Sequence, residues 1–288
     1  MNYIFLDLEW NNAFSRKHKK FINEIIEIGA VKLDESLNEI DSFSILISSQ
    51  LTKKLRGHFK KLTNISNEEM NAGVSFKQAI DEYAKWANAA DSITFTWSNS
   101  DIYALLDNLS LFLGINKIPF IDKYVDLQKY VQADLKLNGF DSSNQLSLLK
   151  AAEIFGLTVE DFELHRAKDD SRICAELFRL TFDKDRLVGF IEDTNKPDYY
   201  ERLIFKPYII SNIKSPYINK SQLKVKCDTC GQFARRKSKF IFKNHSFYAF
   251  FSCGHCKKDF VAFLTFKKHY DHVTRKVELR PVAKSIKQ

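Results

Sequence analysis

Cysteine and proline are both scarce in this 288-residue chain, with five of each. No uninterrupted apolar stretch approaches the roughly 18 to 20 residues that a membrane-spanning helix requires, which sets that class aside. No charged segment followed by an apolar run and a small-residue cleavage site opens the chain, so a soluble, cytoplasmic protein without a membrane partner is expected. Neither an internal repeat nor a long low-complexity segment is evident, so a repeat array is not expected. What is present suffices for a globular protein: 44% of the residues are hydrophobic, and the length allows two domains.

The scarce residues are placed informatively. Pro197, Pro207 and Pro216 share a stretch with Asn195, Asn212, Ser215 and Asn219, which marks a domain boundary. Cys174 falls on a helical apolar face and reads as core. Cys227 and Cys230, then Cys253 and Cys256, form two pairs, each with two residues between its thiols and 22 residues between the pairs. In a chain with no secretory leader this spacing favours tetrahedral thiolate ligation over disulfides, and four thiolates close the shell of one structural Zn²⁺. Gly231 and Gly254 suit the tight turns, and segments 239–243 and 247–251 read as hairpin strands, so the module resembles a zinc ribbon. His255 could replace a thiol, but four cysteines already suffice.

Charge is unevenly shared. Residues 1–200 carry 24 Lys and Arg against 31 Asp and Glu, whereas the remaining 88 carry 20 against 5. A polycationic carboxy-terminal part points to a polyanionic partner, although a basic surface without a specific partner has the same composition. Arg235 and Arg236, with Lys237, Lys239 and Lys243, lie among aromatics and would suit single-stranded nucleic acid; the aromatics also serve as the core of so small a module.

The opening strand carries an unusual pair, Asp7 and Glu9, within Tyr3-Ile4-Phe5-Leu6-Asp7-Leu8-Glu9-Trp10. Side chains two apart leave one face of a strand, so these acids repel one another unless they are solvated at an edge or share a divalent cation. Strands are expected over 1–9, 25–33 and 42–48 as an antiparallel meander, then a helix carrying Phe76, Ile80, Tyr83, Ala84 and Ala87. A strand at 93–97, a helix from Asp101 to the stop signal Gly114, a strand at 118–121 and helices near 145–155 and 167–182 complete an α/β domain on one mixed sheet. Asp101 reads either as a helix N-cap or as an acid at the carboxyl edge of the sheet. His165 lies just before the last helix, and Asp169 and Asp170 in its first turn are also explicable as helix-dipole acids.

In order, these residues resemble the DEDDh class of the exonuclease superfamily, the proofreading-exonuclease or RNase T group with a ribonuclease-H-like fold, over roughly residues 1–183. Segments 24–31, 62–65 and 97–101 are also similar to that group, particularly to its bacterial branch that includes KapD and is related to Eri-type RNA-trimming enzymes. The resemblance implies that Asp7, Glu9, Asp101 and Asp170 hold two Mg²⁺ or Mn²⁺ ions and that His165 is the general base. The family spacing selects Asp170 over Asp169, which lies about 100° away around the helix. It also implies that Leu8 and Trp10 flank the terminal nucleotide, although Trp10 would serve equally as core.

Basic runs at Arg16, Lys17, His18, Lys19 and Lys20 and at Lys53, Lys54, Arg56, His58, Lys60 and Lys61 read as solvated charge or as phosphate contacts. The first run is expected near the catalytic edge because it follows Glu9, which makes Arg16 and Lys17 candidate substrate contacts. The expected organisation is a catalytic domain at 1–185, a linker at 186–220, a zinc ribbon at 221–275 and a mobile basic tail at 276–288. The expected function is removal of nucleotides from 3′ ends of single-stranded RNA or DNA, RNA slightly favoured, the ribbon helping to capture substrate. A non-catalytic nucleic-acid-binding or regulatory protein acting through the ribbon, and an internally cutting nuclease of the same fold, are the other readings.

Overall fold

The computed structural model describes residues 1–55, 57–140, 144–160 and 162–282, with the backbone alone at position 61. Arg56, the Lys61 side chain and the last six residues of the expected tail therefore lie outside the described residues. The chain divides into two compact units, Met1–Tyr200 and Glu201–Gln288.

The first unit opens with β1 (Asn2–Ser15), β2 (Lys20–Leu33) and β3 (Glu39–Leu46), paired antiparallel in sequence. Three helices follow, α1 (Gly57–Thr63), α2 (Asn67–Ala72) and α3 (Phe76–Ala87). Next come β4 (Ser92–Thr96), α4 (Asn99–Asn108), β5 (Lys123–Asp126), α5 (Leu127–Leu137), α6 (Leu148–Ile154), α7 (Ala167–Thr181), α8 (Lys184–Val188) and the edge strand β6 (Glu192–Asp193). The sheet order is β3-β2-β1-β4-β5-β6, with β1, β4 and β5 parallel, a ribonuclease-H-like mixed sheet flanked by helices.

Along one face of β1, Tyr3 and Phe5 pack against Phe95 of β4 and Phe178 of α7, with Phe5 and Phe95 stacked 4.9 Å apart. Two residues further on, the same face presents Asp7 and Glu9, so the core ends where the acids begin. β4 pairs with β1 only up to Phe5, leaving the backbone of residues 7–9 unpaired with β4 on that side. This is the carboxyl edge of the parallel strands, where ligands of open α/β sheets bind.

Several expectations are corrected. Residues 118–121 form a turn that buries Ile118, Phe120 and Ile121 and exposes Pro119, and the strand lies at Lys123–Asp126. β1 and β2 run on as a ribbon to a tight turn, so Arg16 and Lys17 are exposed at the tip of a hairpin, roughly 20 Å of strand beyond Glu9 rather than at the catalytic edge. Helices α1, α2 and α5 were not expected. The expected linker is ordered structure: α8 and β6 belong to the first unit, α9 (Tyr199–Ile204) crosses the division, and β7 (Tyr208–Ile209) belongs to the second.

In the second unit, β8 (Arg235–Arg236), β9 (Ile241–Lys243), β10 (Ser246–Ser252), β11 (Asp259–Lys268) and β12 (Val273–Pro281) form a sheet of order β12-β11-β10-β8, with β7 beside β11 and β9 beside β10. Burial alternates strictly: Phe247, Ala249 and Phe251 of β10 lie beside Leu264, Ala262 and Phe260 of β11 on one face of the sheet, which with Phe266 lines the unit's core. Residues 276–281, expected as tail, belong to β12, whose pairing with β11 runs from Val273 to Pro281. Among the described residues no helix is long and apolar enough to cross a membrane.

Candidate active site

Asp7, Glu9, Asp101, His165 and Asp170 line one cavity of about 320 Å³ in the first unit. Three structural devices deliver them. Asp7 and Glu9 sit on β1 opposite Gly29 and Glu27 of β2, and the register shifts immediately after Glu9, a bulge of the kind that re-aims strands beside functional sites. Asp101 is not the cap of α4; Ser98 is, its Oγ accepting from the Ser100 N–H. Asp101 lies in the first turn, and its Oδ1 accepts the Leu8 N–H at 3.2 Å, taking the backbone donor that β4 stops short of reaching.

His165 and Asp170 come from the start of α7. His165 adopts a left-handed conformation, φ 63°, which turns the chain into the helix. Its backbone N–H reaches back to the Asp170 carboxylate. Ligand atoms of Glu9, His165 and Asp170 lie within 4.8 Å of one another. Asp169 turns away, accepting from the Glu163 N–H and from Arg172, and does not line the cavity.

The electrostatics are those of crowded acids. Burial, reinforced by Asp101, Glu9 and Asp170, pushes Asp7 well above the usual carboxylate range. Burial and then Asp170 and Glu27 push Glu9 up to about 9. Burial raises Asp101 to about 7 and Asp170 to about 6. Four carboxyls that resist ionising together fit a hard, oxygen-seeking divalent cation, whose charge would restore them to the ionised form.

Two supporting features escaped the sequence reading. Glu27 is buried and takes a bidentate contact from Arg166, with Nη2 at 2.9 Å, as well as the Ala167 N–H at 3.3 Å. It caps α7 from the neighbouring strand, since Arg166 at the N-cap position makes no side-chain cap of its own. Gly29 is the other: a Cβ there would meet Lys168 N at 2.1 Å, so only glycine lets α7 approach β2 this closely. Segment 24–31 had stood out only by its likeness to the family, and nothing local revealed the partner of Glu27.

Leu8 and Trp10 also line the cavity, joined by Phe59, Leu62, Trp97, Ser98, Ser100 and Leu148. Phe59 and Leu62 were hidden in what read as a basic run; their i, i+3 spacing on α1 was the available signal.

In the second unit the sulfur atoms of Cys227, Cys230, Cys253 and Cys256 lie within 4.8 Å of one another with no disulfide between them. Tight turns hold them: Gly231 N–H bonds Cys227 O, Cys253 N–H bonds Lys258 O, and Cys256 N–H points at Cys253 Sγ. The Cys256 N–H and neighbouring donors lower the Cys253 thiol to about 7. This donor set fits a closed four-thiolate metal shell. Arg235 and Arg236 lie exposed on β8.

The fold and the acidic cavity define a nuclease, and the chain belongs to the exonuclease family, whose model matches residues 4–178. It is 27% identical over 186 residues to the probable 3′-5′ exonuclease KapD of Bacillus subtilis, covering 64% of this chain and 84% of that protein. It is 31% identical over 156 residues to the DNA polymerase III subunit epsilon of Treponema pallidum, covering 54% of this chain and 67% of that one. A PolC-type DNA polymerase III of Clostridium perfringens is 27% identical over 182 residues, 63% of this chain, which spans only 11% of that protein's length. Among solved structures, the nuclease domain of 3′hExo, a DEDDh family member bound to rAMP, superposes with a TM-score of 0.54 at 19% identity over 67% of this chain and 96% of that one.

Proposed function

We propose that this chain is a metal-dependent 3′-to-5′ exonuclease that releases nucleotides from single-stranded ends, with its zinc-ribbon unit helping to capture the substrate. The observation that carries the reading is the convergence of Asp7, Glu9, Asp101, His165 and Asp170 on one cavity with an apolar wall. Asp7, Glu9, Asp101 and Asp170 would hold two Mg²⁺ or Mn²⁺, which when bound supply water activation and neutralise the leaving oxygen. The protein's own contribution is positional and protonic. Trp10, Phe59, Leu62 and Trp97 offer faces on which a terminal base can stack, excluding water from the acids beside them. An imidazole nitrogen of His165 takes the proton of the attacking water as its oxygen bonds to phosphorus. The bond from phosphorus to the 3′ oxygen breaks and that oxygen takes a proton from solvent, leaving a nucleoside 5′-monophosphate and a strand shortened by one with a free 3′ hydroxyl, while His165 returns its proton to solvent.

Zn²⁺ would be held by Cys227, Cys230, Cys253 and Cys256 as a structural ion, and thiols kept as ligands suit a reducing, cytoplasmic setting. Relatives support the direction of cutting, since KapD is described as a probable 3′-5′ exonuclease. We favour RNA slightly over DNA on the resemblance to the KapD and Eri-like branch; structural neighbours bound to rAMP or recognising a histone mRNA stem-loop accord with this at the level of fold, and the DNA polymerase III relatives keep DNA as the competing substrate. Matched 5′-labelled RNA and DNA strands incubated with Mn²⁺ test the reading. A product ladder shortening from the 3′ end is expected, lost in Asp7→Asn, with a circular strand left whole. Cleavage of the circle, or a ladder that survives Asp7→Asn, would overturn it.

A further inference from the structure

The second unit contains a cleft that the exonuclease reading does not use. Its volume is about 540 Å³, within the roughly 300–1,000 Å³ range of small-ligand sites. Its apolar lining comes from Ile213, Ile218, Leu223 and Phe240, all of which adjoin the unit's hydrophobic core. Its charged lining comes from Lys214, Lys220, Arg236 and Lys239.

Three features distinguish this cleft from an ordinary surface depression. Its charges are of one sign: none of the four cations makes an ion pair among the described residues, and no acid lines the cleft. Like charges gathered without partners attract an anion. The apolar and charged parts are joined, because the Arg236 guanidinium lies 4.8 Å from the Phe240 ring centre, offering a planar cationic and aromatic surface. The segment that forms one wall is held in place although it was expected as linker. Ile210 N–H bonds Phe266 O, Ile218 N–H bonds Ser215 O, and Asn219 and Gln222 form a reciprocal cap.

We propose that this cleft binds single-stranded nucleic acid, with a base on the apolar and aromatic surface and backbone phosphates on the four cations. An acidic peptide would leave the apolar lining unused, and an apolar ligand would leave the cations unused; a nucleotide strand uses both. The cleft lies apart from the cysteine cluster, none of whose thiols line it. The inference rests on the reading of this unit as a nucleic-acid-binding module, and it names where the strand is held.

The test uses the full chain carrying Asp7→Asn, so that bound strands stay intact, and follows anisotropy of labelled 12-nucleotide RNA, DNA and abasic DNA. Adding Lys214→Ala and Arg236→Ala together should weaken binding about tenfold or more. It should also reduce the steepness of log affinity against log salt by about 1.4, since each phosphate contact on a single strand contributes about 0.7. The abasic strand should bind the parent about fivefold or more weakly, in line with the roughly 1–3 kcal/mol contributed by each stacked base, and that preference should shrink in the double variant. Unchanged affinity and salt dependence in the double variant, or competition by polyglutamate as strong as by oligonucleotide, would overturn the inference. Hydrolysis of a dinucleotide by otherwise wild-type protein separates the two proposals. Its absence sinks the exonuclease reading alone, because the affinities and salt slopes above are measured on Asp7→Asn protein and need no catalysis.

Discussion

Adding one methyl group at Gly29 should disable the acidic cavity without touching any of its acids. Gly29 pairs with Asp7 across β1 and β2, and the start of α7 lies directly on it. A Cβ at this position would sit 2.1 Å from Lys168 N, 2.2 Å from Ala167 C and 2.7 Å from Ala167 Cβ. The first two are backbone atoms of the turn that carries His165 and Asp170, so no flexible side-chain tip can give way. Restoring ordinary contact requires the helix start to withdraw by roughly 1.3 Å, while the Ser171 hydroxyl still holds it to Gly29 O at 3.0 Å. Overpacking of this kind costs about 1–3 kcal/mol. In a unit of this size that is a fall of about 2–12 °C in Tm. A displacement near 1 Å of groups that position the reaction costs on the order of 100-fold in rate. Thermal unfolding and single-turnover degradation of a labelled strand measure both quantities for Gly29→Ala. Gly57→Ala is the control, because a Cβ there meets nothing within 4 Å and alanine favours a helix start. A Gly29→Ala protein whose Tm and rate match those of Gly57→Ala would refute the account of how α7 is placed; a lowered Tm with an unchanged rate would refute the link from placement to catalysis.

Three other outcomes follow from the same geometry. Glu9 is raised to about 9 and Asp101 to about 7, so the folded metal-free chain holds protons that the unfolded chain releases near 4; stability without divalent ions should fall as pH climbs from about 5 to 9, and the rise in Tm caused by Mn²⁺ should grow over that window. A Mn²⁺ effect that shrinks with rising pH would contradict it. Arg166→Met should cost about 3–5 kcal/mol in urea unfolding because it strands the Glu27 charge, whereas Glu27→Gln, which keeps an acceptor for Ala167 N–H, should cost less; equal losses would dismiss the ion pair as the cause. Cys227→Ser should abolish one calorimetric transition and leave the other in place, as expected if bound zinc supplies folding energy to the second unit alone.

The acids of the cavity were legible as a set more than singly. Asp7 and Glu9 stood out by the strand period of two, whereas Asp101, His165 and Asp170 each had an ordinary local reading, as helix cap, surface residue or helix-dipole acid, and only their order along the chain, resembling the DEDDh class, joined them to the pair. The cysteine pairs announced themselves by spacing. What stayed hidden depends on partners distant in sequence. Glu27 meets Arg166 across 139 residues, and Gly29 is needed only because α7 crosses it. The hairpin of β1 and β2 continues past the acids because β1 goes on pairing with β2 after β4 ends, so the basic Arg16 and Lys17 were carried away from the cavity that adjacency in sequence had suggested. Strand β12 escaped notice because its residues are mostly exposed and basic, and pairing with β11 rather than burial fixes it.

The balance of charge around the cavity bears on how many cations it would take. Five buried or half-buried acids come close together: Asp7, Glu9, Glu27, Asp101 and Asp170. Arg166 engages Glu27 through both Nε and Nη2, a pairing that offsets its charge although Glu27 still adds to the rise of Glu9. Asp169 is diverted in the same way, towards Arg172 and a backbone amide. Four carboxyls remain facing the cavity, and among the described residues no lysine or arginine lines it. A single divalent ion would neutralise half of their charge and leave the rest with the burial and mutual repulsion that together raise Glu9 to about 9. Two would neutralise all four, before any phosphate enters. The Glu27–Arg166 pair thus does more than anchor a helix: by offsetting the charge of the fifth acid with a fixed cation, it leaves four carboxyls facing the cavity, a charge that two divalent ions would balance.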